Sequence, residues 1–420
     1  MNAHQAEEYL LGLELFGMRF GLDRMHKLMT ALGMPQRRFA SIHVVGSNGK
    51  SSTVRFIAGI LERHGLRTGS YTSPHLGTFN ERIEVGEHPL EEPEFAAAVE
   101  RAAHASELVN RTAEHDDQVT QFEALTAAAY HELARREVDV AVIEAGLGGR
   151  FDATNVIPSA VAVLTGVGLE HTRWLGPTLA DIAGEKLAVV RDHTMLVAGE
   201  LAPEAEAVLL EVARERHAHL VRAAEAEAGP HAPAGAFQRR NFALARAAAQ
   251  AFLGPERQLE PERVVAAAAE TRVRGRLDVV AERPLVIHDG AHNPAGARAL
   301  ARALPELLER PGEGVLSPLV GVISILDDKD PSAILAELLP LCDRVVFTRA
   351  ANPRALPAPA LATIAQELGG PPAETVPDPA TALERGRERA GPAGAVLATG
   401  SIYLIADLVR EPGAARASTL

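Results

Sequence analysis

A glycine-rich segment, GSNGKSS at 46–52, follows an apolar run and precedes a stretch with helical periodicity. Glycines let successive backbone N–H groups turn inward, a helix N-terminus adds partial positive charge, and a lysine reaches terminal phosphates. The common phosphate-loop spacing GxxxxGK[ST] would require glycine at Val44, so this loop is a shorter variant. The segment predicts a nucleotide phosphate site, against the plainer interpretation of a glycine turn with a solvated lysine.

Lysine is scarce in this chain, so each position that keeps it needs a reason. Among 42 basic residues, lysine stands only at Lys27, Lys50, Lys186 and Lys329. We attribute the skew to coding bias, yet a compact ammonium suits phosphate contact better than a planar guanidinium. Lys50, at the end of the glycine loop, is therefore a candidate catalytic residue.

Polar side chains follow two further apolar strands. Glu144 emerges from the run 138–143 into a glycine loop, which would leave its carboxylate poised as a ligand for a hard cation. Glu170 and His171 follow the run 161–164 in the same way. Ligands bind where the strands of open parallel sheets end, so this placement favours a shared site. Taken alone, a solvated glutamate and a structural histidine are the commoner interpretations.

Short β-branched runs alternate with helical stretches along most of the chain, which predicts an α/β fold with a mostly parallel sheet. The first 40 residues have helical spacing, and strands are predicted at 42–45, 138–143 and 161–164. Helices are predicted at 50–64 and as a pair over 239–271, with a loop at 222–236. The pattern then restarts, with strands predicted at 285–287, 319–325, 345–347 and 395–397.

The restart of the pattern predicts two domains, in line with a length of 420 residues. We expect a larger N-terminal P-loop-type ATPase domain at 1–272 and a smaller C-terminal Rossmann-like α/β domain at 277–411. The segment 273–276 would link them. The tail at 412–420 is expected to be disordered.

Composition argues against several kinds of partner. The 42 basic and 55 acidic residues give a formal net charge of −13, which disfavours nucleic acid and anionic membranes. The polar N-terminus has no signal-peptide features, no run approaches a membrane span, and Cys342 alone cannot form an internal disulfide. We expect a soluble, cytoplasmic monomer with a substantial hydrophobic core.

Taken in order, the motifs resemble the folylpolyglutamate synthase and dihydrofolate synthase family, which is related to the Mur ligases. The resemblance runs from about Tyr9 to Leu404. The matching segments are GSNGKSS at 46–52, TSPHL at 72–76, NERI at 80–83, FE at 122–123, EAGLGGRFDATN at 144–155, EH at 170–171, EK at 185–186, QRRN at 238–241, GR at 275–276, DGAHNP at 289–294, DKD at 328–330 and TGSIY at 399–403. One such motif is weak, whereas the ordered set is specific.

The resemblance implies an ATP-dependent amide ligase that adds L-glutamate to dihydropteroate, to the γ-carboxylate of a reduced folate, or to both, through an acyl phosphate. It implies ATP and Mg²⁺ as cofactors, with two metal sites. The implied ATP contacts are Asn48, Gly49, Lys50, Ser51, Ser52, Asn241, Arg276 and Asp289. The implied metal ligands are Ser52, Ser73, Glu144 and His171.

Lys186 resembles the family lysine that CO₂ carbamylates, a reaction open to an amine and closed to arginine. With Lys50 and His292, which would lie near the transferred group, it completes the implied catalytic set. The implied pteroate or folate pocket comprises Gly21, Leu22, Asp23, Arg24, Thr120, Gln121, Phe122, Glu123, Arg150 and Asp152. For Leu22 and Phe122 a plain core position is an equal alternative.

The chain departs from the family pattern at Ser51, where glycine is usual, and at Glu170, where aspartate is usual. Ser51 leaves open which of two adjacent serines meets the metal. A cis peptide bond is expected before Pro74. Two alternative functions remain. A Mur-type cell-wall amino-acid ligase would need a nucleotide-sugar domain, for which the 45 residues ahead of the loop are too few; the other alternative is a non-catalytic ATP-binding module.

Overall fold

The computed structural model describes residues 1–13, 21–114, 117–224, 232–310, 312 and 314–410. The strands are β1 (Ala40–Val45), β2 (Thr68–Tyr71), β3 (Ile83–Val85), β4 (His88–Pro89), β5 (Val140–Glu144), β6 (Val161–Leu164), β7 (Met195–Ala198), β8 (His219–Arg222), β9 (Asp278–Glu282), β10 (Leu285–His288), β11 (Glu309–Arg310), β12 (Gly314–Val315), β13 (Leu319–Ile323), β14 (Arg344–Phe347), β15 (Ala373–Thr375) and β16 (Ala395–Thr399). The helices are α1 (Ala3–Gly12), α2 (Asp23–Ala31), α3 (Lys50–Arg63), α4 (Glu92–Asn110), α5 (Gln121–Arg135), α6 (Thr172–Leu175), α7 (Leu179–Leu187), α8 (Pro203–Glu215), α9 (Ala236–Leu253), α10 (Pro261–Glu270), α11 (Pro294–Leu308), α12 (Pro331–Leu338), α13 (Ala358–Glu367), α14 (Pro379–Ala390) and α15 (Ile402–Val409).

The first sheet has eight strands in the order β4-β3-β2-β5-β1-β6-β7-β8. The six strands from β2 to β8 in that order run parallel, while β3 and β4 extend the sheet antiparallel. Strands β5 and β6 are buried along their whole length because helices cover both faces of the sheet. One face packs against α3 and α9, and the other packs against α4, α5, α7 and α8.

The second sheet has six strands in the order β15-β14-β13-β16-β10-β9, of which only the edge strand β9 is antiparallel among those described. Helices α11, α12 and α13 cover one face, and α14 and α15 cover the other. The predicted α/β fold, with a larger, mostly parallel sheet and a smaller second sheet, is thereby confirmed. The domain boundary at 273–276 stays a prediction.

Sequence periodicity placed the predicted strands to within a few residues of those observed. The predictions covered β1, β5, β6, β10, β13, β14 and β16 and gave no strand for the other nine described strands. Two of those nine, β8 and β9, are edge strands whose residues are only partly buried. The predicted helical pair corresponds to α9 and α10. Part of the predicted loop, 225–231, and the predicted tail at 412–420 lie outside the described residues.

A loop from the first half of the chain packs into the second half. Leu76, from the segment between β2 and β3, is buried in the same apolar cluster as Val286, Val396 and Ile405 of the second sheet layer. Arg274 also forms an ion pair with Glu81 at 2.9 Å, and the Ser73–Pro74 peptide is cis, as predicted. Within the described ranges, no helix is both long and apolar enough to span a bilayer.

Candidate active site

A cavity of about 1000 Å³ lies between the two sheets. Much of its wall comes from loops that follow the carboxyl ends of parallel strands, including β1, β2, β5, β6, β10 and β16. The predicted site residues that line it are Arg24, Asn48, Gly49, Lys50, Ser51, Ser52, Ser73, Thr120, Phe122, Glu123, Glu144, Asp152, His171, Lys186, Asn241, Arg276, Asp289 and His292. Residues far apart in sequence therefore share one cavity.

The glycine loop turns from β1 directly into α3, with Gly49 at the N-cap in a left-handed conformation (φ +86°). A Cβ atom at this position would lie 2.3 Å from Oδ1 of Asn241, so α9 approaches the loop too closely for any side chain. Lys50 Nζ donates to the carbonyl oxygens of Gly46 at 3.0 Å and Ser47 at 3.5 Å. The ammonium thus lies over its own loop.

Glu144 ends β5 as a buried carboxylate facing the glycine loop. Its Oε1 accepts a hydrogen bond from Ser51 Oγ at 3.0 Å, and its Oε2 accepts one from Ser73 N at 3.1 Å. Burial raises the pKa of Glu144, and the charge of Lys50 opposes that rise. Of the two adjacent serines, Ser51 is the one whose hydroxyl meets the carboxylate, while Ser52 is buried in the cavity wall.

Lys186, near the end of α7, is buried with its amine pointing at the glycine loop. Its Nζ donates to Gly46 O at 3.0 Å and to Glu170 Oε1 at 3.2 Å. Burial and, after it, the charge of Lys50 lower the pKa of Lys186 to about 8, against the opposing effect of Glu170. Burial acts to raise the pKa of Glu170, but Lys50 and Lys186 outweigh it and hold that pKa at about 2.

The wall from the second half is built around Asp289, which follows β10. Both of its carboxylate oxygens accept backbone hydrogen bonds, from Leu277 N at 2.9 Å and from Ala291 N at 2.8 Å. Burial raises the pKa of Asp289, and Arg276 opposes the rise. Asp289 therefore holds the backbone at the residue after Arg276 and at the residue before His292.

His292 Nδ1 lies 2.9 Å from the carbonyl oxygen of Gly290. Since a carbonyl only accepts, Nδ1 carries the proton and Nε2 is left as an acceptor. Burial and, after it, the charge of Arg276 lower the pKa of His292 to about 4. The imidazole is therefore neutral at physiological pH.

Two polar connections cross the cavity. Asn293 Nδ2 donates to Oδ1 of Asn48 in the glycine loop at 3.2 Å. Asn241 Nδ2 donates to Gln238 Oε1 at 3.0 Å, and Gln238 Nε2 donates to Arg276 O at 3.3 Å. The first connection links the glycine loop to the DGAHNP segment, and the second links α9 to the chain at 276.

Another part of the cavity wall comes from residues predicted for an acceptor pocket. Arg24 is buried in an ion pair with Glu123 at 3.0 Å, and Thr120 N donates to the same carboxylate at 2.9 Å. Phe122 stacks against the buried Tyr71 with ring centroids 6.1 Å apart. Asp152 accepts from Leu147 N at 2.8 Å, and burial raises its pKa.

Five predicted acceptor residues do not line this cavity: Gly21, Leu22, Asp23, Gln121 and Arg150. Gln121 is buried, and its Nε2 donates to the carbonyl oxygen of Leu10 at 2.8 Å, so it joins α5 to α1. Leu22 and Arg150 line a second, smaller cavity instead. The motif match located segments that reach this cavity but could not tell which residues of each segment face it.

Several cavity residues had no predicted role, among them Trp174, Tyr403, Lys329 and Arg354. Trp174, the chain's one tryptophan, is 38% exposed at the wall with the Arg173 guanidinium 5.2 Å from its ring centroid. Lys329 and Arg354 flank Asp328, at 3.0 and 3.5 Å. Arg354 gave no sequence signal because arginine is common throughout this chain.

Sequence comparisons find related ligases over most of the chain. A profile of the Mur ligase, glutamate ligase domain matches residues 275–402. The chain is 37% identical over 387 residues to the dihydrofolate synthase/folylpolyglutamate synthase of Mycobacterium tuberculosis, covering 83% of this chain and 78% of that protein. It is 32% identical over 431 residues to the Bacillus subtilis protein of the same name, covering 96% and 97%.

Solved structures give the same picture. Mycobacterium tuberculosis folylpolyglutamate synthase complexed with ADP superposes with a TM-score of 0.88 at 32% identity, over 98% of this chain and 99% of that one. E. coli FolC in complex with DHPP and ADP superposes with a TM-score of 0.83 at 29% identity, over 97% and 96%. The likeness thus extends over both sheets and the cavity between them.

Proposed function

This chain belongs to the dihydrofolate synthase/folylpolyglutamate synthase family of ATP-dependent ligases, and from that premise we propose that it joins L-glutamate to dihydropteroate, to a reduced folate, or to both. The observation that carries the proposal is the single cavity in which the glycine loop, the buried Glu144 and the DGAHNP segment meet. We call it the ATP cavity. A cell-wall ligase and a non-catalytic module are less well supported, since a relative named for the folate reactions matches 96% of the chain.

We infer that the glycine loop holds the phosphates of ATP. Backbone N–H groups at the start of α3 and the Lys50 ammonium supply positive charge where the nucleotide is most negative. On nucleotide binding, Lys50 would exchange its contacts with Gly46 and Ser47 for phosphate oxygens. Phosphoryl transfer depends mainly on such positioning and charge neutralisation.

The residues around Glu144 fit a magnesium ion. Mg²⁺ is usually held by one or two carboxylates, by water and by substrate phosphates, not by a dedicated cage of protein ligands. In the described part of the chain no group of three or more His, Cys, Asp or Glu side chains forms such a cage. Glu144, Ser51, Ser52, Ser73 and His171 would hold the ion, which would neutralise charge on the transferring phosphoryl group.

We propose that Lys186 acts as a carbamate. Its amine is buried beside a second ammonium, that of Lys50, and both donate to the same carbonyl oxygen of Gly46 at 3.0 Å. The lone pair of a neutral Nζ would attack CO₂, forming an N–C bond as one C=O electron pair moves onto oxygen and an N–H proton leaves to solvent. The product is an anion, so the repulsion between the two side chains becomes attraction.

The ligation itself requires two chemical steps. A carboxylate oxygen of the acceptor attacks the γ-phosphorus of ATP, and the bond to the bridging oxygen of ADP breaks, which leaves an acyl phosphate. The amino group of glutamate then attacks the acyl carbon, a C–N bond forms, and the C–O bond to phosphate breaks. Nε2 of the neutral His292 would accept the proton that the attacking amine loses.

Glutamate needs cations for its two carboxylates. Lys329 and Arg354, which both line the cavity from the second half of the chain, would provide them. We therefore propose that these two side chains bind and orient glutamate. The acceptor would enter at the opposite end, between Phe122, Asp152 and Trp174, where aromatic faces suit a planar substrate.

The test is ADP release by the purified protein with ATP, Mg²⁺ and L-glutamate, with dihydropteroate or a reduced folate added separately. We expect ADP only when one acceptor is present, together with a product heavier by one glutamyl unit in mass spectrometry. The acceptor that works distinguishes single from dual activity. A protein that binds ATP but turns over with neither acceptor would refute the ligase proposal and favour a non-catalytic module.

The location, oligomeric state and partners of the protein form the last part of the proposal. We propose a cytoplasmic monomer whose partners are small molecules, and the acidic net charge of −13 supports the absence of nucleic acid among them. Light scattering during size-exclusion chromatography would give the mass directly. A value near 44.6 kDa is expected for the monomer.

A further inference from the structure

A second cavity, of about 690 Å³, has arginine at four of its lining positions. Arg37, Arg150, Arg191 and Arg216 all contribute to its wall, together with His26. We call this set of four arginines the arginine pocket. Glu215 is the one acidic residue among its described lining residues.

The arginine pocket extends to the amino ends of the strands of the first sheet, whereas the glycine loop lies at their carboxyl ends. Arg37, Arg191 and Arg216 each lie a few residues before a parallel strand, β1, β7 and β8 respectively. The glycine loop, by contrast, follows the carboxyl end of β1. The arginine pocket is therefore a separate site and not an extension of the ATP cavity.

Positive charge in the arginine pocket is only partly compensated. Arg150 forms an ion pair with Glu185 at 2.8 Å, and Arg216 forms a loose one with Asp192 at 3.4 Å. Arg37 is exposed, and within the described stretches of chain it forms no ion pair. Among the described residues, the guanidinium groups of Arg37 and Arg191 thus face the cavity without a carboxylate partner.

Arg191 is held in place before any ligand arrives. Its Nη2 donates to the carbonyl oxygen of Asn155 at 2.8 Å and to the amide oxygen of the same residue at 2.7 Å. Burial lowers the pKa of Arg191, and the charge of Arg216 lowers it further. A fixed guanidinium under repulsion from its neighbour gains electrostatic energy from a bound anion.

We propose that the arginine pocket is a second ligand site, which binds a small anion that carries phosphate or carboxylate groups. The planar N–H fork of a guanidinium matches both groups in bidentate geometry. Arg150 lies between Gly149 and Phe151, which line the ATP cavity, so one loop separates the two sites. The anion would compete with Glu185 for Arg150 and so reach the wall next to Lys186.

The experiment is isothermal titration of protein saturated with Mg²⁺ and AMPPCP, so that the phosphate positions of the ATP cavity are filled. Inorganic phosphate and tri-γ-glutamate are titrated separately at constant ionic strength. We expect at least one of them to bind, and Arg37→Gln to weaken that binding about tenfold, since one charge-assisted contact is lost. Arg37 is exposed and forms no ion pair within the described ranges, so this variant should fold.

Two further variants complete the test. Arg191→Lys keeps the charge but removes the fork, and it should also weaken binding. Arg298→Gln is the matched control and should leave affinity unchanged. Arg298 is an exposed arginine on α11 that forms an ion pair with Glu337. The proposal is overturned if neither anion binds, if binding survives both pocket variants, or if the control weakens it equally. Which anion binds tells whether the ligand carries phosphate or carboxylate.

Discussion

Two ammonium groups that share one backbone carbonyl define the chemistry of the site at the level of single residues. Lys50 and Lys186 both donate to Gly46 O, and Glu170 is the acidic partner of Lys186. Burial and the neighbouring charge lower the pKa of Lys186 to about 8, which raises the fraction of neutral, reactive amine at physiological pH. This supports the proposal that Lys186 reacts with CO₂.

Replacing Lys186 should therefore abolish ligase activity in a way that a carboxylate can repair. We expect Lys186→Arg and Lys186→Ala each to lower kcat by about 100-fold or more, as for the loss of a preorganised charge in an active site. Activity of Lys186→Ala should partly return with millimolar acetate or propionate. Steady-state ADP release with and without the added acid measures this.

Lys27→Ala is the control, because Lys27 is exposed on α2. Wild-type protein should also lose activity in CO₂-free buffer and regain it with bicarbonate. Full activity in CO₂-free buffer, with an unmodified Lys186 in the intact mass, would contradict carbamylation.

The sequence predicted which residues line this cavity better than it predicted the contacts that those residues form. Lys186 stood out because arginine is the rule in this chain, but its contact with the Gly46 carbonyl depends on how α7 packs beside β1. Arg354 could not be found, since an arginine in a loop has no distinctive pattern here. Arg150 matched a motif, yet the turn of its loop sends the side chain toward Glu185 and the second cavity.

At the scale of elements, the glycine loop depends on a close approach between α9 and the start of α3. Gly49 meets Asn241 there, with no room for a methyl group. Gly65 offers a natural comparison, because it has a similar positive φ of +82°, yet a methyl group there would meet no heavy atom of the described residues within 4 Å.

We expect Gly49→Ala to raise the dissociation constant for ADP at least tenfold, because either the loop or Asn241 must shift. Gly65→Ala should cost about 1 kcal/mol of folding stability for the same left-handed backbone and leave ADP binding unchanged. Titration calorimetry with ADP and urea unfolding separate the two effects. Equal ADP affinity in both variants would show that the contact with Asn241 is irrelevant.

A buried histidine on β1, His43, contacts the loop between β5 and β6. His43 Nε2 lies 2.8 Å from Thr154 Oγ1, and Tyr130 Oη donates to Thr154 O at 2.8 Å. Burial and, after it, the charge of Arg191 lower the pKa of His43 to about 3, so the folded protein keeps this ring neutral. An unfolded chain would protonate it near its ordinary pKa of 6.5.

Folding stability should therefore fall as the pH drops below about 6.5, because the unfolded state then binds a proton that the folded state excludes. Between pH 7 and pH 5 the loss from His43 alone should be about 2 kcal/mol. Urea unfolding at both pH values gives the folding free energy of the wild type and of His43→Gln. The wild type should lose more of it between pH 7 and pH 5 than the variant does. Parallel pH profiles for the two proteins would rule out His43 as the source.

At the scale of the whole molecule, the ATP cavity exists only because two sheets face each other. Leu76 enters the apolar cluster of the second sheet, the Arg274–Glu81 ion pair lies beside it, and Asn48 meets Asn293 across the cavity. The alternation of strands and helices was sufficient to predict both sheets. Their docking was not predictable, since it depends on side chains such as Leu76 that look like ordinary loop residues in sequence.

Leu76→Ala should loosen this docking, at a cost of about 2–4 kcal/mol for a buried leucine. We expect hydrogen exchange to rise together in the segments 72–82 and 275–277, while β1 keeps its protection. Ligase activity should fall in parallel, because an open cavity admits water. Leu169→Ala, 66% exposed, is the control and should change neither property.

The distribution of lysine also makes this protein a natural subject for covalent footprinting. Lys50, Lys186 and Lys329 all line the ATP cavity, and Lys27 is left on the outer surface. An acylating reagent would therefore label Lys27 as a reference position outside the cavity, and Lys50 and Lys329 as reporters within it, while Lys186 is 1% exposed and should react slowly. Mass spectrometry of the labelled peptides could then follow occupancy of each part of the cavity separately, without any engineered probe.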